Sequence, residues 1–247
     1  MVQPIHLPQH IQQINGTDSF AFSCHKEVKC FTDCCRMLEL ALTPYDVLRL
    51  RQATGLTSGQ LLDHYVIIEQ DPGEPFPRFY LTMIDDGRAS CVFVTDQGCS
   101  VYEHRPAACR AYPLGRAVMM NENGSIAEHF VLLREDHCLG FQEPKKQTAL
   151  QYSEGQELLT YNRFNDAVAA IYQHDSIRKG FIPTSKQIDL FTLALYNIDS
   201  FKEMLLSGEL VSPTALTPKE KSHLMSDDEA LLLFAIDWIV QQIFEPF

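Results

Sequence analysis

All eight cysteines of this 247-residue chain lie between Cys24 and Cys138. They are spaced as Cys24-x5-Cys30-x3-Cys34-Cys35, then Cys91-x7-Cys99-x9-Cys109, then Cys138. A chain of this length buries an ordinary core, so a shortage of core is not the reason for them. Residues 1–8 carry neither a basic start nor an unbroken apolar run, which leads us to expect no export and a cytoplasmic setting. Thiols are kept reduced there, and a cluster of them points to metal or redox chemistry before disulfides. Soft thiolates select zinc, iron–sulfur clusters or Cu(I) over magnesium and calcium. Four thiolates satisfy a tetrahedral zinc or a cubane cluster, so eight suffice for two centres, or for one centre with redox-active spares. Adjacent Cys34 and Cys35 would close a small strained ring on a single ion. They are expected to divide between two centres or to leave one thiol free. The spacing matches neither paired C-x2-C zinc knuckles nor the ferredoxin run. For Cys91, within the apolar run Ala89–Val94, burial as a small hydrophobe is the competing reading.

Charge removes one class of partner. Against 20 Lys+Arg stand 32 Asp+Glu, a net −12, whereas binding to a phosphate backbone rests on clustered cations, so no nucleic-acid partner is expected. The longest apolar stretch, residues 231–240, is interrupted by Asp237 and is much shorter than the roughly 20 residues of a membrane span, so no membrane partner is expected either.

The fold class expected is α+β: a small mixed, cysteine-rich metal-binding domain over residues 1–143, then an all-helical C-terminal part over 144–247. Thr43-Pro44 reads as an N-cap with proline in the first turn of a helix to about Ala53, closed by Gly55. Thr57 caps a second helix. Residues 78–84, 89–95 and 126–134 read as strands, with Asp85-Asp86-Gly87 as a hairpin-type turn. Further on, one helix is expected over about 148–173. Another carries the stripe Ile188, Phe191, Leu195, Ile198, Phe201 and Leu205, and a last one follows Ser226-Asp227-Asp228. These stripes read as the core of a helical bundle.

Three stretches carry a family resemblance: Phe22-Ser23-Cys24 through Cys34-Cys35, Leu42–Leu50, and the run Cys99-x5-Arg105-Pro106-x2-Cys109-Arg110-x-Tyr112-Pro113. Together they resemble the YkgJ-like cysteine-cluster family, described as zinc- or iron-chelating, over about residues 20–140. The family pattern opens with C-x2-C-x2-C-C, and the gaps here are wider. The resemblance implies that Cys24, Cys30, Cys34, Cys35, Cys91, Cys99, Cys109 and Cys138 ligate an iron–sulfur cluster, of the 4Fe–4S kind, or zinc. It also implies that Arg105, Arg110 and Tyr112 stand around that centre, the arginines neutralising it and donating N–H···S bonds. His25, His104 and His137 abut the cysteine motifs and read as ordinary histidines before ligands.

Three functions remain open on these grounds. One is electron transfer or redox-linked modification. Another is a zinc-stapled adaptor that binds a protein partner through its helical region. The third is a protein-lysine methyltransferase, by kinship with flagellin lysine N-methylases that use S-adenosylmethionine, although no binding motif for that cofactor is legible. The first cysteine loop and the 99–109 segment are expected to meet in space, since neither holds four comfortably spaced ligands.

Overall fold

The computed structural model describes residues 8–120, 126–210 and 216–244; the N-terminal residues read above for an export signal fall, but for Pro8, outside them. The fold is α+β, with a helical C-terminal part. Two compact units interleave along the chain: one takes residues up to Leu38, Met83–Tyr102 and Ala107–Thr160, the other Glu39–Thr82, Glu103–Pro106 and everything from Tyr161 onwards.

The first unit is built on a three-stranded antiparallel sheet. Its central strand, Ile126–Leu133, pairs with Ile11–Ile14 on one side and Leu114–Met120 on the other. Phe130 and Leu132 alternate inward with Leu114 and Ile14, and Phe20, Phe22, Ala149 and Tyr152 complete this core. A second pairing, Ser19–Ala21 with Lys146–Thr148, brings residues beyond 143 into the same unit, and Thr148 caps the helix Ala149–Gly155 that follows. The single cut expected between 143 and 144 is therefore not where the compact units divide. The loss of cysteines along the sequence does not report which distant strand a segment pairs with.

The second unit is mainly helical. Pro44–Thr54 forms as the sequence suggests: the Thr43 side chain accepts from the Asp46 N–H, Asp46 returns the bond, and Gly55 closes the helix at φ 69°. Ser58–Tyr65 repeats the device with Thr57 and Gln60. A hairpin pairs Val66–Glu69 with Arg78–Leu81. The stripe from Ile188 to Leu205 is shared by two helices, Ser185–Leu195 and Ile198–Ser207, and not by one. Buried Phe191, Leu195, Ile198, Phe201 and Leu205 stay on the core side across the break. Asp228–Phe244 follows, with the Asp227 carboxylate accepting from the Glu229 and Ala230 N–H groups. No helix among the described residues is long and apolar enough to cross a membrane.

The helix expected over 148–173 is also two: Ala149–Gly155 and Leu158–Tyr172. Glu157 adopts φ 54°, a left-handed conformation that ends helical propagation. Within the first unit, buried Arg110 donates from Nη1 to the Gln156 carbonyl at 2.9 Å and to the Glu157 carboxylate at 3.2 Å, holding the break from outside the helix.

Arg51 ties the second unit together. Its guanidinium grips Asp199 with two bonds of 2.7 Å and Asp228 with a third of 2.7 Å, and Asp199 also accepts from the Ser58 N–H. Burial pushes the Asp199 carboxyl up, but Arg51 and Ser58 outweigh it and hold the group below the usual carboxylate range. A carboxyl lowered in the folded state adds stability above its unfolded value, about 3.9, and that contribution fades as pH falls through the folded value. Asp199→Asn is expected to cost about 2 kcal/mol at pH 7, and urea unfolding should show the gap to the parent protein narrowing at pH 3. An equal gap at both pH values would count against this linkage.

Candidate metal centre

The cysteines divide by position. Cys24, Cys30, Cys34 and Cys138 line one small pocket of the first unit, whose wall is completed by Phe22, Val28, Tyr112, His137 and Gly140. The loop that supplies the first three is a chain of short turns. Val28 N–H bonds the His25 carbonyl, Phe31 the Val28 carbonyl, Asp33 the Cys30 carbonyl and Cys35 the Thr32 carbonyl, with Thr32 itself left-handed at φ 70°. Each gap between successive cysteines is thus taken up by turns, which accommodates spacings wider than two residues. Cys138 arrives from far along the chain. The Ser23 N–H donates to the Gly140 carbonyl at 3.0 Å, and the Leu139 N–H donates to the Cys30 Sγ at 3.2 Å.

The backbone approaches closely here. A Cβ on Gly140 would stand 2.6 Å from Phe22 Cε2 and 2.9 Å from the Ser23 carbonyl oxygen, so only glycine lets the Phe22-Ser23 backbone and the Cys138 segment touch. Tyr112 packs its ring edge-on to Phe22, and its buried hydroxyl makes no hydrogen bond of standard length. Burial, with Cys138 and Glu135 as polar neighbours, raises that phenol well above its usual range. The neighbouring Cys35 sulfur, with burial next, pushes the Cys34 thiol up.

The other cysteines sit elsewhere in the first unit. Cys91 lies in a short strand paired with Met83–Ile84, and Cys99 in a second small hairpin opposite Val94. Burial raises the Cys91 thiol, while the Phe93 and Val94 N–H groups, hydrogen-bonded to it, pull the other way and Cys99 adds to the rise. The hairpin of Cys99 meets the first cysteine loop: Phe31 Cζ stands 3.1 Å from the place of a Cβ on Gly98, and Lys26 Nζ reaches Gln97 at 3.5 Å. Cys109 is half-buried on the short helix Ala107–Ala111. All eight thiols are unbridged. Among the described residues, no three His, Cys, Asp or Glu side chains are drawn together tightly enough to enclose an ion as they stand, so ligation requires the sulfurs to turn inward. In kind and in placement the pocket quartet fits a thiolate centre: four soft donors, one already accepting a backbone N–H, in a largely apolar wall.

The remaining candidates are placed as follows. Arg110 is buried and reaches Gln156 and Glu157. Arg105 and His104 belong to the second unit, where the Arg105 carbonyl accepts from the Tyr161 hydroxyl at 3.2 Å. His25 Nε2 pairs with Glu143 at 3.3 Å, and His137 lines the pocket. Sequence reasoning missed Glu135, Gly140 and the N–H donor of Leu139, and it met Phe22 only within the string that carries the resemblance. Only Gly140, two residues after a cysteine, left a visible trace.

No curated protein and no solved structure matches the chain. Residues 23–139, which hold all eight cysteines and all of the pocket wall but Phe22 and Gly140, match the CxxCxxCC family, "Putative zinc- or iron-chelating domain", and it is to this family that the first part of the chain is similar.

Proposed function

We propose that the chain is a metal protein whose first unit carries an iron–sulfur centre on Cys24, Cys30, Cys34 and Cys138, serving electron transfer or a redox-linked modification. The observation that supports this reading most is convergence: thiols from both ends of the cysteine region line one pocket. When bound, such a cluster supplies one-electron chemistry. The protein's own residues do the rest. The four thiolates would bind, the Leu139 N–H steadies the Cys30 sulfur, and Phe22, Val28 and Tyr112 supply an apolar wall beside the sulfurs. The Tyr112 hydroxyl holds its proton beside Cys138 and is placed to donate to that sulfur once it carries charge.

Elemental and acid-labile sulfide analysis of anaerobically purified protein tests this directly. Iron with matching sulfide and absorbance near roughly 400 nm is the expected result. Colourless protein with stoichiometric zinc would replace the redox role with a structural staple, and protein with neither metal would overturn the reading altogether.

A further inference from the structure

We propose a second, separate soft-metal site in the same unit, with Cys35, Cys91 and Cys99 as its thiolate ligands; it rests on the reading that the pocket quartet binds metal. The starting point is register. Arg36 and Ser90 form an antiparallel bridge, and the Met37 N–H donates to the Ala89 carbonyl at 2.9 Å, so residues 35–37 run against 89–91. The next pair in that register is Cys35 opposite Cys91. Backbones joined by an antiparallel bridge lie about 4.5–5.5 Å apart at Cα, so Cys35 and Cys91, each one residue from the bridge, are near neighbours. The other edge of the Cys91 strand holds Met83, also directly opposite, which places a thioether sulfur at the same register position.

Cys91 stands at the mouth of a tight turn. The backbone turns immediately after it, at Val92 and Phe93, before the chain resumes as the strand Val94–Thr95. The turn is pinned by Ser100, whose N–H and hydroxyl both bond the Phe93 carbonyl, at 2.9 and 3.0 Å. Cys99, the residue before Ser100, is thereby held across the turn that follows Cys91. Three thiolates of this kind suit a tetrahedral, borderline-soft divalent ion such as zinc, with one position left for a further donor.

Cys34 and Cys35 explain why the sites are two. Cys34 lines the pocket with Cys24, Cys30 and Cys138, while the next residue adjoins the bridge that brings the Cys91 segment alongside. One peptide bond therefore separates two ligand sets, which spares the strained ring that both sulfurs would form on one ion.

Anaerobic titration of the reduced, metal-free full chain with cobalt(II), followed by its thiolate-to-cobalt absorption, tests the division. The wild type should take up about two equivalents, and Cys91→Ser with Cys99→Ser should remove one while leaving the other. Cys30→Ser with Cys138→Ser should remove the opposite one. If a double variant loses its far-UV helical signal, the milder pair Cys34→Ser and Cys35→Ser serves instead, each weakening a different equivalent by about 10- to 100-fold. One equivalent in the wild type, lost in either double variant, would mean a single shared centre and sink the division while leaving the metal reading intact. Both equivalents retained in Cys91→Ser with Cys99→Ser would overturn the assigned ligands. No cobalt uptake by the wild type would overturn the metal reading itself.

Discussion

Chelating the metal from the loaded protein is expected to raise amide hydrogen exchange across residues 24–38 and 90–99 by about 100-fold or more, and to leave the helices Ser185–Leu195, Ile198–Ser207 and Asp228–Phe244 protected. The affected segments are turns, bends and two-residue strands, with few backbone ladders to hold them. Ligation of a structural ion is worth on the order of 10 kcal/mol in small metal domains, so even a third of that exceeds a 100-fold change in opening. The three helices bury Phe191, Leu195, Phe201, Leu231 and Trp238 in a core that contains no cysteine. Helices Pro44–Thr54 and Ser58–Tyr65 supply the sharper part of the test. They lie between the first and second cysteine groups in sequence, yet they belong to the helical unit and should stay protected. Uniform loss of protection, or none at all, would contradict this division of stability.

Gly140→Ala is expected to destabilise the first unit by about 3 kcal/mol, at the upper end of the usual cost of overpacking. Its new methyl would meet Phe22 at 2.6 Å and a backbone oxygen at 2.9 Å, and neither can yield cheaply. The Phe22 ring is fixed edge-on by Phe141, Tyr152 and Tyr112, and the Ser23 carbonyl belongs to the residue whose N–H bonds Gly140. Since Cys24 and Cys138 flank this contact, the same substitution should loosen the pocket and lower metal retention alongside stability. Gly155→Ala is the control. A Cβ there meets nothing within 4 Å, and the exchange should leave urea unfolding unchanged or slightly stabilised. A loss below about 0.5 kcal/mol for Gly140→Ala would show that the Cys24 and Cys138 segments are free to separate.

What could be read from the sequence was whatever acts over a few residues. Thr43 and Asp46, or Thr57 and Gln60, close their hydrogen bonds within one turn, so the type and sequence spacing of two residues sufficed to place both helix starts. The strand Ile126–Leu133 showed itself by β-branched and aromatic composition, whereas Leu114–Met120, with glycine and arginine near its start, did not. Its Gly115 is a packing requirement, because a Cβ would stand 2.7 Å from Val131 Cγ2 on the paired strand. Periodicity also misled where a chain breaks in phase. The stripe from Ile188 to Leu205 continues on one side of the core through Tyr196 and Asn197, and a pattern that counts threes and fours registers no interruption there.

The cysteine spacing by itself determined the class of chemistry, because softness is a property of the donor atom and eight thiols concentrated in one region carry it whatever the fold. It also implied that neighbouring Cys34 and Cys35 need not share an ion. Which thiols stand together was decided only by tertiary structure. Cys138 comes to Cys30 through the Leu139 N–H and the Ser23–Gly140 bond, and a bridge between residues 36 and 90 brings the segments of Cys35 and Cys91 side by side. Arg110, expected beside the thiolates, also reaches the break after Gly155, a partner set by how a distant helix folds back. These contacts join segments tens of residues apart or more, and each depends on the register of strands whose partners no local pattern names. A register is fixed by the burial of one sheet face and by close backbone approaches such as that at Gly140, which exist only once the core has formed.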